Sequence, residues 1–215
     1  MRIPALALLF LSAACASGQS QVPPTPPVAD SQASNDLVPV GYGRLNQDDL
    51  SIRLSAGDLE IRFVPLEERT LRLLAPDAYR ALHDLRESRR AGIDSAARRY
   101  GTAAPGTALL TFFAARAGQN FQPQDVAITV QNQEFRAIGI IPISTNFSGQ
   151  QLGARGQASA LYVFEIPVPV LQEFTLSYQG ARTDAWRSRV STIQREQDRV
   201  MVRVRAAGTD TTRRP

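Results

Sequence analysis

Alternating apolar and polar residues mark the first structured segment of the chain. Residues 50–54 place an apolar side chain at every second position, and residues 59–63 repeat the pattern. Residues 55–58 lie between them and contain a glycine, which is typical of a tight turn. Because successive side chains of a strand point to opposite faces, the pattern predicts a β-hairpin with one face buried.

Residues 65–100 change to helical periodicity. Residues 65–74 predict a short helix, and Pro76 with Asp77 predicts the start of a longer one, since proline suits the first helical turn. Gly92 is expected to interrupt the longer helix, and residues 101–106 are expected to end it. The apolar positions of its predicted stripe are Tyr79, Leu82, Leu85, Ile93, Ala97 and Tyr100.

A β-rich pattern follows, with five candidate strands. Short connections without helices between these strands predict an antiparallel sheet in a sandwich or barrel. Pro142, Pro167 and Pro169 are expected at strand ends or edges, because proline has no N–H to donate to a sheet. The candidate strands are residues 108–114, 126–131, 135–143, 158–166 and 173–178.

Part of this region resembles a known family. Residues 126–130, the loop that ends at residues 153–157, and residues 160–167 and 174–178 are similar to segments of the telokin-like immunoglobulin-like domains of bacterial lipoproteins. The resemblance spans residues 108–179, about a third of the chain. It implies a β-sandwich fold, and its shared patterns are those of packing rather than chemistry. The helical segment at residues 65–100 departs from that family.

The last predicted element is an amphipathic helix from residue 184 to about residue 205. Its predicted seam is Trp186, Val190, Ile193, Gln197, Val200 and Val204. We expect this seam to dock on the sheet or on the earlier helix, with pairing to a partner helix as the alternative. The alternation of valines at 200, 202 and 204 is also compatible with a strand, so a strand at the end of this element stays an alternative. Residues 206–215 predict a disordered tail.

The predicted fold class is therefore α+β. An antiparallel β-sandwich-like core carries a helical insert at about residues 65–100 and a C-terminal amphipathic helix. Residues 37–205 are expected to form a single globular domain, because about 200 residues with 43% hydrophobic content can build a real core.

The first sixteen residues predict export. Arg2 is followed by an apolar run and then by small residues up to Cys15, the single cysteine of the protein. Charged start, apolar centre and small-residue end are the layout of a secretory signal, and the run is too short for a stable transmembrane helix. The segment resembles the lipobox of bacterial lipoproteins, which implies that Cys15 carries a lipid, although Ser12 stands where that family prefers leucine. The alternative is ordinary cleavage around Cys15, which would give a secreted or periplasmic soluble protein.

Residues 17–36 are rich in serine, glutamine and proline. Prolines at this density favour an extended conformation, and the segment has too little apolar surface to fold. We expect a disordered tether that holds the domain clear of a membrane surface.

Composition excludes several chemistries. All 24 basic residues are arginine, so the chain has no lysine for a Walker-type phosphate loop or a Schiff base. Removal or lipidation of Cys15 leaves no free thiol. His83 is the single histidine and is expected to be a solvated surface residue, so a zinc site or a Ser-His-Asp site is not expected. We therefore assign no catalytic residue, no metal and no cofactor.

Charge is unevenly distributed although the net value is only +4. From residue 182 onward nine arginines stand against four acids, a balance of +5. The candidate polyanion contact on the C-terminal helix consists of Arg187, Arg189, Arg195 and Arg199, expected on one exposed stripe. The alternative is a solvated face with a structural role.

The sequence thus predicts an exported, lipid-anchored envelope protein that is not an enzyme and acts as a binding or structural module. Its expected partners are the membrane through the lipid, and an envelope protein or a cell-wall polymer; nucleic acid is not expected. Two alternatives stay open. One is a hydrolase that uses paired carboxylates converging in a cleft, and the other is a polyanion-binding module on the arginine-rich helix.

Overall fold

A computed structural model describes residues 37–211, with side chains up to residue 206. The predicted signal segment 1–16, Cys15 and the predicted tether 17–36 lie outside the described residues. The described part contains ten strands and four α-helices. The strands are β1 (Ile52–Ala56), β2 (Leu59–Pro65), β3 (Gly106–Ala114), β4 (Gln119–Asn120), β5 (Ala127–Val130), β6 (Gln133–Pro142), β7 (Gln151–Leu152), β8 (Gln157–Phe164), β9 (Thr175–Tyr178) and β10 (Ala181–Thr183). The helices are α1 (Glu68–Leu71), α2 (Pro76–Ser88), α3 (Arg90–Tyr100) and α4 (Trp186–Thr211).

The predicted hairpin is confirmed as β1 and β2. The strands pair antiparallel, with Ile52 opposite Phe63 and Ala56 opposite Leu59. Gly57 at the turn has a φ of 61°, a left-handed conformation that glycine adopts without strain. The first and third residues of β1 and the first, third and fifth residues of β2 are buried, so the alternation in sequence reports the buried face of the hairpin.

The helical insert is also present, but its break lies elsewhere than predicted. α2 begins at Pro76 as expected, and the chain kinks at Arg89, which has a φ of −107° and a ψ of 7°. Gly92, where the interruption was predicted, lies inside α3. The prediction that Tyr100 belongs to the apolar stripe was wrong, because Tyr100 is 58% exposed at the end of α3.

All five strands predicted between residues 108 and 178 are confirmed, as β3, β5, β6, β8 and β9. Pro142 is the last residue of β6, as expected for proline in a sheet. Sequence reasoning missed β10 and the two-residue strands β4 and β7. These three segments are too short for alternation to register.

Eight strands form one sheet, in the order β1-β2-β3-β8-β6-β5-β9-β10, with antiparallel pairing throughout. β1 also contacts β9 and β10, so the two ends of the sheet lie next to each other and the sheet is nearly barrel-like. α3 packs on β6, where Gly139 permits the approach: a Cβ at this position would lie 2.7 Å from the Cβ of Ala96. The coarse class is therefore the predicted mixture of antiparallel sheet and helices.

The C-terminal helix docks on the domain by the predicted seam. Trp186, Ile193 and Val200 are fully buried, and Val190, Gln197 and Val204 are half-buried. The helical interpretation of residues 200–204 is thus confirmed over the strand. α4 continues to Thr211, beyond residue 205, where its end was predicted.

Candidate functional site

A group of ionisable side chains lies between α1 and α2. Helical spacing places Glu68 and Arg72 on one face, and it does the same for Tyr79 and His83 on α2. The Arg72 Nε donates to Glu68 Oε1 over 2.7 Å, and the Tyr79 hydroxyl donates to the same oxygen over 3.1 Å. The second oxygen, Oε2, lies 3.5 Å from His83 Nδ1 and 3.9 Å from Arg86 Nη1. We call these five residues the Glu68 cluster.

These contacts keep Glu68 ionised. Burial by itself raises its pKa, but the hydrogen bonds from Arg72 and Tyr79 and the positive charge of Arg72 outweigh it, so the pKa lies below its ordinary value. The same carboxylate contributes to the opposite effect on Tyr79: burial and then the negative charge of Glu68 raise the pKa of that phenol. The cluster therefore fixes the first turn of α1 to the first two turns of α2.

His83 is not the solvated surface residue that the sequence predicted. Its ring stacks on Tyr79, with centroids 5.1 Å apart and planes inclined by 22°. Its side chain is only 33% exposed. His83 is therefore half-buried between Tyr79 of its own helix and Glu68 of α1, and the contact with α1 is one that helical periodicity within α2 does not report.

Glu67 turns away from this cluster, as expected for a neighbour of Glu68 in sequence. The backbone N–H of Val168 donates to Glu67 Oε1 over 3.1 Å, which ties the loop after β8 to the start of α1. Burial raises the pKa of Glu67, although hydrogen bonds from the Val168 and Thr107 backbones and the charge of Arg86 act against the rise.

Glu67 also lines a cleft of about 330 Å³ between α3 and the loops before β3 and after β8. Asp94 of α3 lines the same cleft, so two acids face one concavity. Asp94 lies 3.7 Å from the Nε of Arg90 and is about half exposed. A half-buried carboxyl with a raised pKa in the same cleft as a more exposed carboxylate is an arrangement that supports general acid chemistry.

The opposite pKa shifts of the two adjacent glutamates predict opposite pH effects on stability. A raised pKa means that folded Glu67 holds its proton at pH values where the unfolded chain, with a pKa near 4.5, has lost it. Its contribution to stability therefore falls as the pH rises above 4.5. Glu67→Gln keeps an acceptor for the N–H of Val168 but does not ionise, so it escapes this loss of stability. The difference in melting temperature between the variant and the wild type should therefore rise between pH 4 and pH 8. We expect roughly 2–4 °C for each 1 kcal/mol of destabilisation that the variant removes.

Glu68→Gln is the matched control. The lowered pKa of Glu68 gives stability above pH 4.5 that is lost as the pH falls through the folded value. The substitution should therefore lower the melting temperature more at pH 8 than at pH 4. Calorimetric melting of both variants at the two pH values checks the prediction, and parallel pH responses would contradict it.

The four arginines predicted as a polyanion contact do not share one exposed stripe of α4. Arg187 lies at the first turn and pairs with Glu173, with Nε 2.9 Å from the carboxylate oxygen. Arg195 is exposed and donates to the carbonyl of Ser191 within the helix over 3.2 Å.

The other two arginines of that set turn toward the domain. Arg189 is half-buried, and its Nε donates to the carbonyl of Ser51 over 3.1 Å. Arg199 donates from Nε to Glu196 Oε2 over 2.6 Å and from Nη2 to the carbonyl of Tyr42 over 2.9 Å. These two side chains fasten α4 to the segment that precedes β1.

Sequence reasoning missed a second group of charges around Glu196. Its side chain is only 9% exposed and accepts a hydrogen bond from the backbone N–H of Arg44 over 2.8 Å. Hydrogen bonds from Arg199 and from the Arg44 backbone outweigh the effect of burial and lower the pKa of Glu196. Arg203, one turn beyond Arg199, completes the group. We call Arg44, Arg199 and Arg203 the arginine cluster.

The spacing of Arg199 and Arg203 is visible in sequence, but no local pattern links them to Arg44, 155 residues earlier. Within the part of the chain that the structure describes, no group of three or more His, Cys, Asp and Glu side chains is placed to hold a metal ion. No helix among the described residues combines the length and the apolar character needed to cross a bilayer.

Comparison with models of protein families, with curated proteins and with solved structures found no match to the chain.

Proposed function

We propose that this chain is an exported, lipid-anchored protein of the bacterial envelope that acts as a non-enzymatic binding or structural module. The location rests on the apolar run that ends at Cys15 and on the proline-rich residues 17–36 behind it. A lipid on Cys15 would tether the domain to the membrane, and an envelope protein or cell-wall polymer would be its partner. Secretion without the lipid is the alternative.

The observation that carries the non-enzymatic role is that the two half-buried glutamates, Glu67 and Glu68, make structural contacts. Glu68 is held by Arg72 and Tyr79, and Glu67 accepts the backbone N–H of Val168. The contact with Tyr79 joins α1 to α2, and the contact with Val168 joins α1 to the loop after β8, whereas Arg72 holds Glu68 from within its own helix. Such bonds give a rigid platform, because the folded protein loses stability when a carboxylate that is shielded from water loses its partners.

The finer fold that we propose is an immunoglobulin-like β-sandwich. β6 supports it, because this strand pairs with β5 through its first residues and with β8 through its last. The register shifts between Ala137 and Gly139, at the change from one partner to the other. A bulge at this position bends the strand and lets its two ends belong to two facing layers.

Palmitate labelling tests the anchor. Cells that express the wild-type chain are expected to incorporate labelled palmitate into it, and Cys15→Ala is expected to abolish the label, because the chain has no other cysteine. The readout is label per mass of protein after immunoprecipitation.

Ser17→Ala is the control for this experiment, since it alters the same region and leaves Cys15 in place. It should label as the wild type does. An unlabelled wild-type chain, or equal labelling of Cys15→Ala, would show that the protein is not a lipoprotein.

A second candidate function is a carboxylate-based hydrolase. The cleft shared by Glu67 and Asp94 favours it, because glycoside hydrolysis uses an acid with a raised pKa, as Glu67 has, together with a second carboxylate, which Asp94 would supply. The Glu67→Gln variant separates the two functions. A hydrolase would lose activity on a cell-wall glycan by at least about a hundredfold, whereas a platform would change only in stability.

A further inference from the structure

We propose that the arginine cluster, formed by Arg44, Arg199 and Arg203, is a binding site for a phosphate group. The proposal rests on the binding role proposed above and gives it a ligand class. It does not depend on the lipid anchor. It shares Arg199 with the polyanion contact that the sequence predicted, and it has Arg44 and Arg203 in place of the other three arginines.

The middle arginine is held in place before any ligand binds. Arg199 makes two contacts with Glu196, from Nε and from Nη2, and Nη2 also donates to the carbonyl of Tyr42. Its third nitrogen, Nη1, is buried and has no hydrogen-bond partner among the described residues. Because Nη1 is closed to solvent, Arg199 contributes its positive charge to the site, and Arg44 and Arg203 supply the exposed donors for an anion.

Arg44 and Arg203, the other two members of the cluster, have exposed side chains. The backbone N–H of Arg44, rather than its side chain, binds Glu196, so the guanidinium of Arg44 is not needed for that contact. Arg203 lies four residues after Arg199 on α4, which places the two side chains on one face of the helix. The loop before β1 and the helix α4 therefore bring three guanidinium groups around one carboxylate.

The charges of this group do not cancel. Three arginines against Glu196 leave a formal excess of two positive charges. Partial desolvation, and then the positive charges of Arg44 and Arg199, lower the pKa of Arg203. Arginines that repel one another in this way are stabilised when an anion enters between them.

A phosphate group balances this excess of positive charge better than a carboxylate does. A phosphomonoester carries about 1.5 to 2 negative charges near pH 7 and offers three acceptor oxygens. Guanidinium groups bind such oxygens through paired N–H donors. A carboxylate would bring one negative charge and leave the other positive charge uncompensated. The phosphate could belong to a free phosphorylated solute or to a lipid headgroup.

Calorimetric titration of the full-length chain with inorganic pyrophosphate tests the site. Every protein carries Cys15→Ala in addition, so that no acyl chain contributes to membrane binding. The affinity for pyrophosphate should fall by about tenfold or more in Arg44→Gln and in Arg203→Gln, since each removes a charged hydrogen-bond donor. Both positions are exposed, so both variants should melt at nearly the wild-type temperature.

Arg195→Gln is the matched control, because it removes one exposed positive charge from the same helix outside the cluster. Its affinity should stay within about twofold of the parent. An equal loss in all three variants would show a general charge effect and would overturn the proposal. Unchanged affinity in Arg44→Gln and Arg203→Gln would overturn it as well.

Vesicles distinguish the two sources of phosphate. The same proteins are sedimented with phosphatidylcholine vesicles, with and without phosphatidic acid. Binding of pyrophosphate without binding of phosphatidic acid vesicles assigns a free solute, and the reverse assigns a lipid headgroup, with the same two variants impaired in either case. Binding to neither probe overturns the site and leaves the Cys15 labelling result unaffected.

Discussion

Replacing Trp186 by alanine is expected to lower the free energy of unfolding by about 3–5 kcal/mol. Trp186 is the first residue of α4 and is fully buried. Its ring stacks on Phe174, with centroids 5.0 Å apart and planes inclined by 27°. Alanine would remove this stack and leave a cavity at the point where the helix first touches the domain.

The position of Trp186 adds to the effect. Ile193 and Val200 follow it along the same seam, so the tryptophan fixes the entry direction of the helix for the contacts beyond it. The arginine cluster draws two of its members from α4, and loosening the helix should weaken it too. Urea unfolding followed by circular dichroism measures the change.

Two further variants make this prediction specific. Val202→Ala alters the same helix at a side chain that is 65% exposed and should cost no more than about 0.5 kcal/mol. Trp186→Phe keeps an aromatic ring against Phe174 and removes an indole N–H that is buried without a partner among the described residues. It should therefore be less damaging than alanine. Equal losses for Trp186→Ala and Val202→Ala would mean that α4 is not anchored as described.

The strands and helices could be predicted wherever the information is local. The hairpin β1–β2 follows from alternation along each strand, and the start of α2 follows from Pro76. The seam of α4 follows from spacing of three and four residues between apolar positions. In each case the burial of a side chain is decided by its own element, whose period the sequence displays.

The predictions that were wrong share a different cause. His83 lies against Glu68 of the neighbouring α1, and Tyr100 is exposed at the end of α3. The break at Arg89 has no glycine or proline to signal it. These features depend on how elements pack against one another, and a single sequence does not report that.

Almost all of the contacts that form the candidate sites also depend on packing between elements that are distant in sequence. Glu67 and Val168 are 101 residues apart, and Arg44 and Glu196 are 152 apart, yet each pair shares a hydrogen bond. The sequence did indicate that the C-terminal helix is arginine-rich. It did not show that Arg187 would pair with Glu173 while Arg203 joins a residue from the start of the domain.

Phe112→Ala is expected to cost as much as the loss of Trp186, about 3–5 kcal/mol. Phe112 lies in β3 at the centre of an aromatic group and is fully buried. Its ring centroid is 4.6 Å from that of Phe121, 5.9 Å from that of Tyr178 and 6.2 Å from that of Phe147. Truncation would remove three ring contacts at once, and the surrounding rings are too rigid to fill the space.

Phe113 provides a control one residue away. The substitution is the same, but successive side chains of a strand point to opposite faces, and Phe113 is half-buried beside an open cleft rather than inside the aromatic group. Phe113→Ala should cost no more than about 2 kcal/mol. Denaturant unfolding of the two variants compares the faces of β3 directly. Comparable losses would show that the aromatic group is not the centre of the core, because only Phe112 of the two contributes a ring to it.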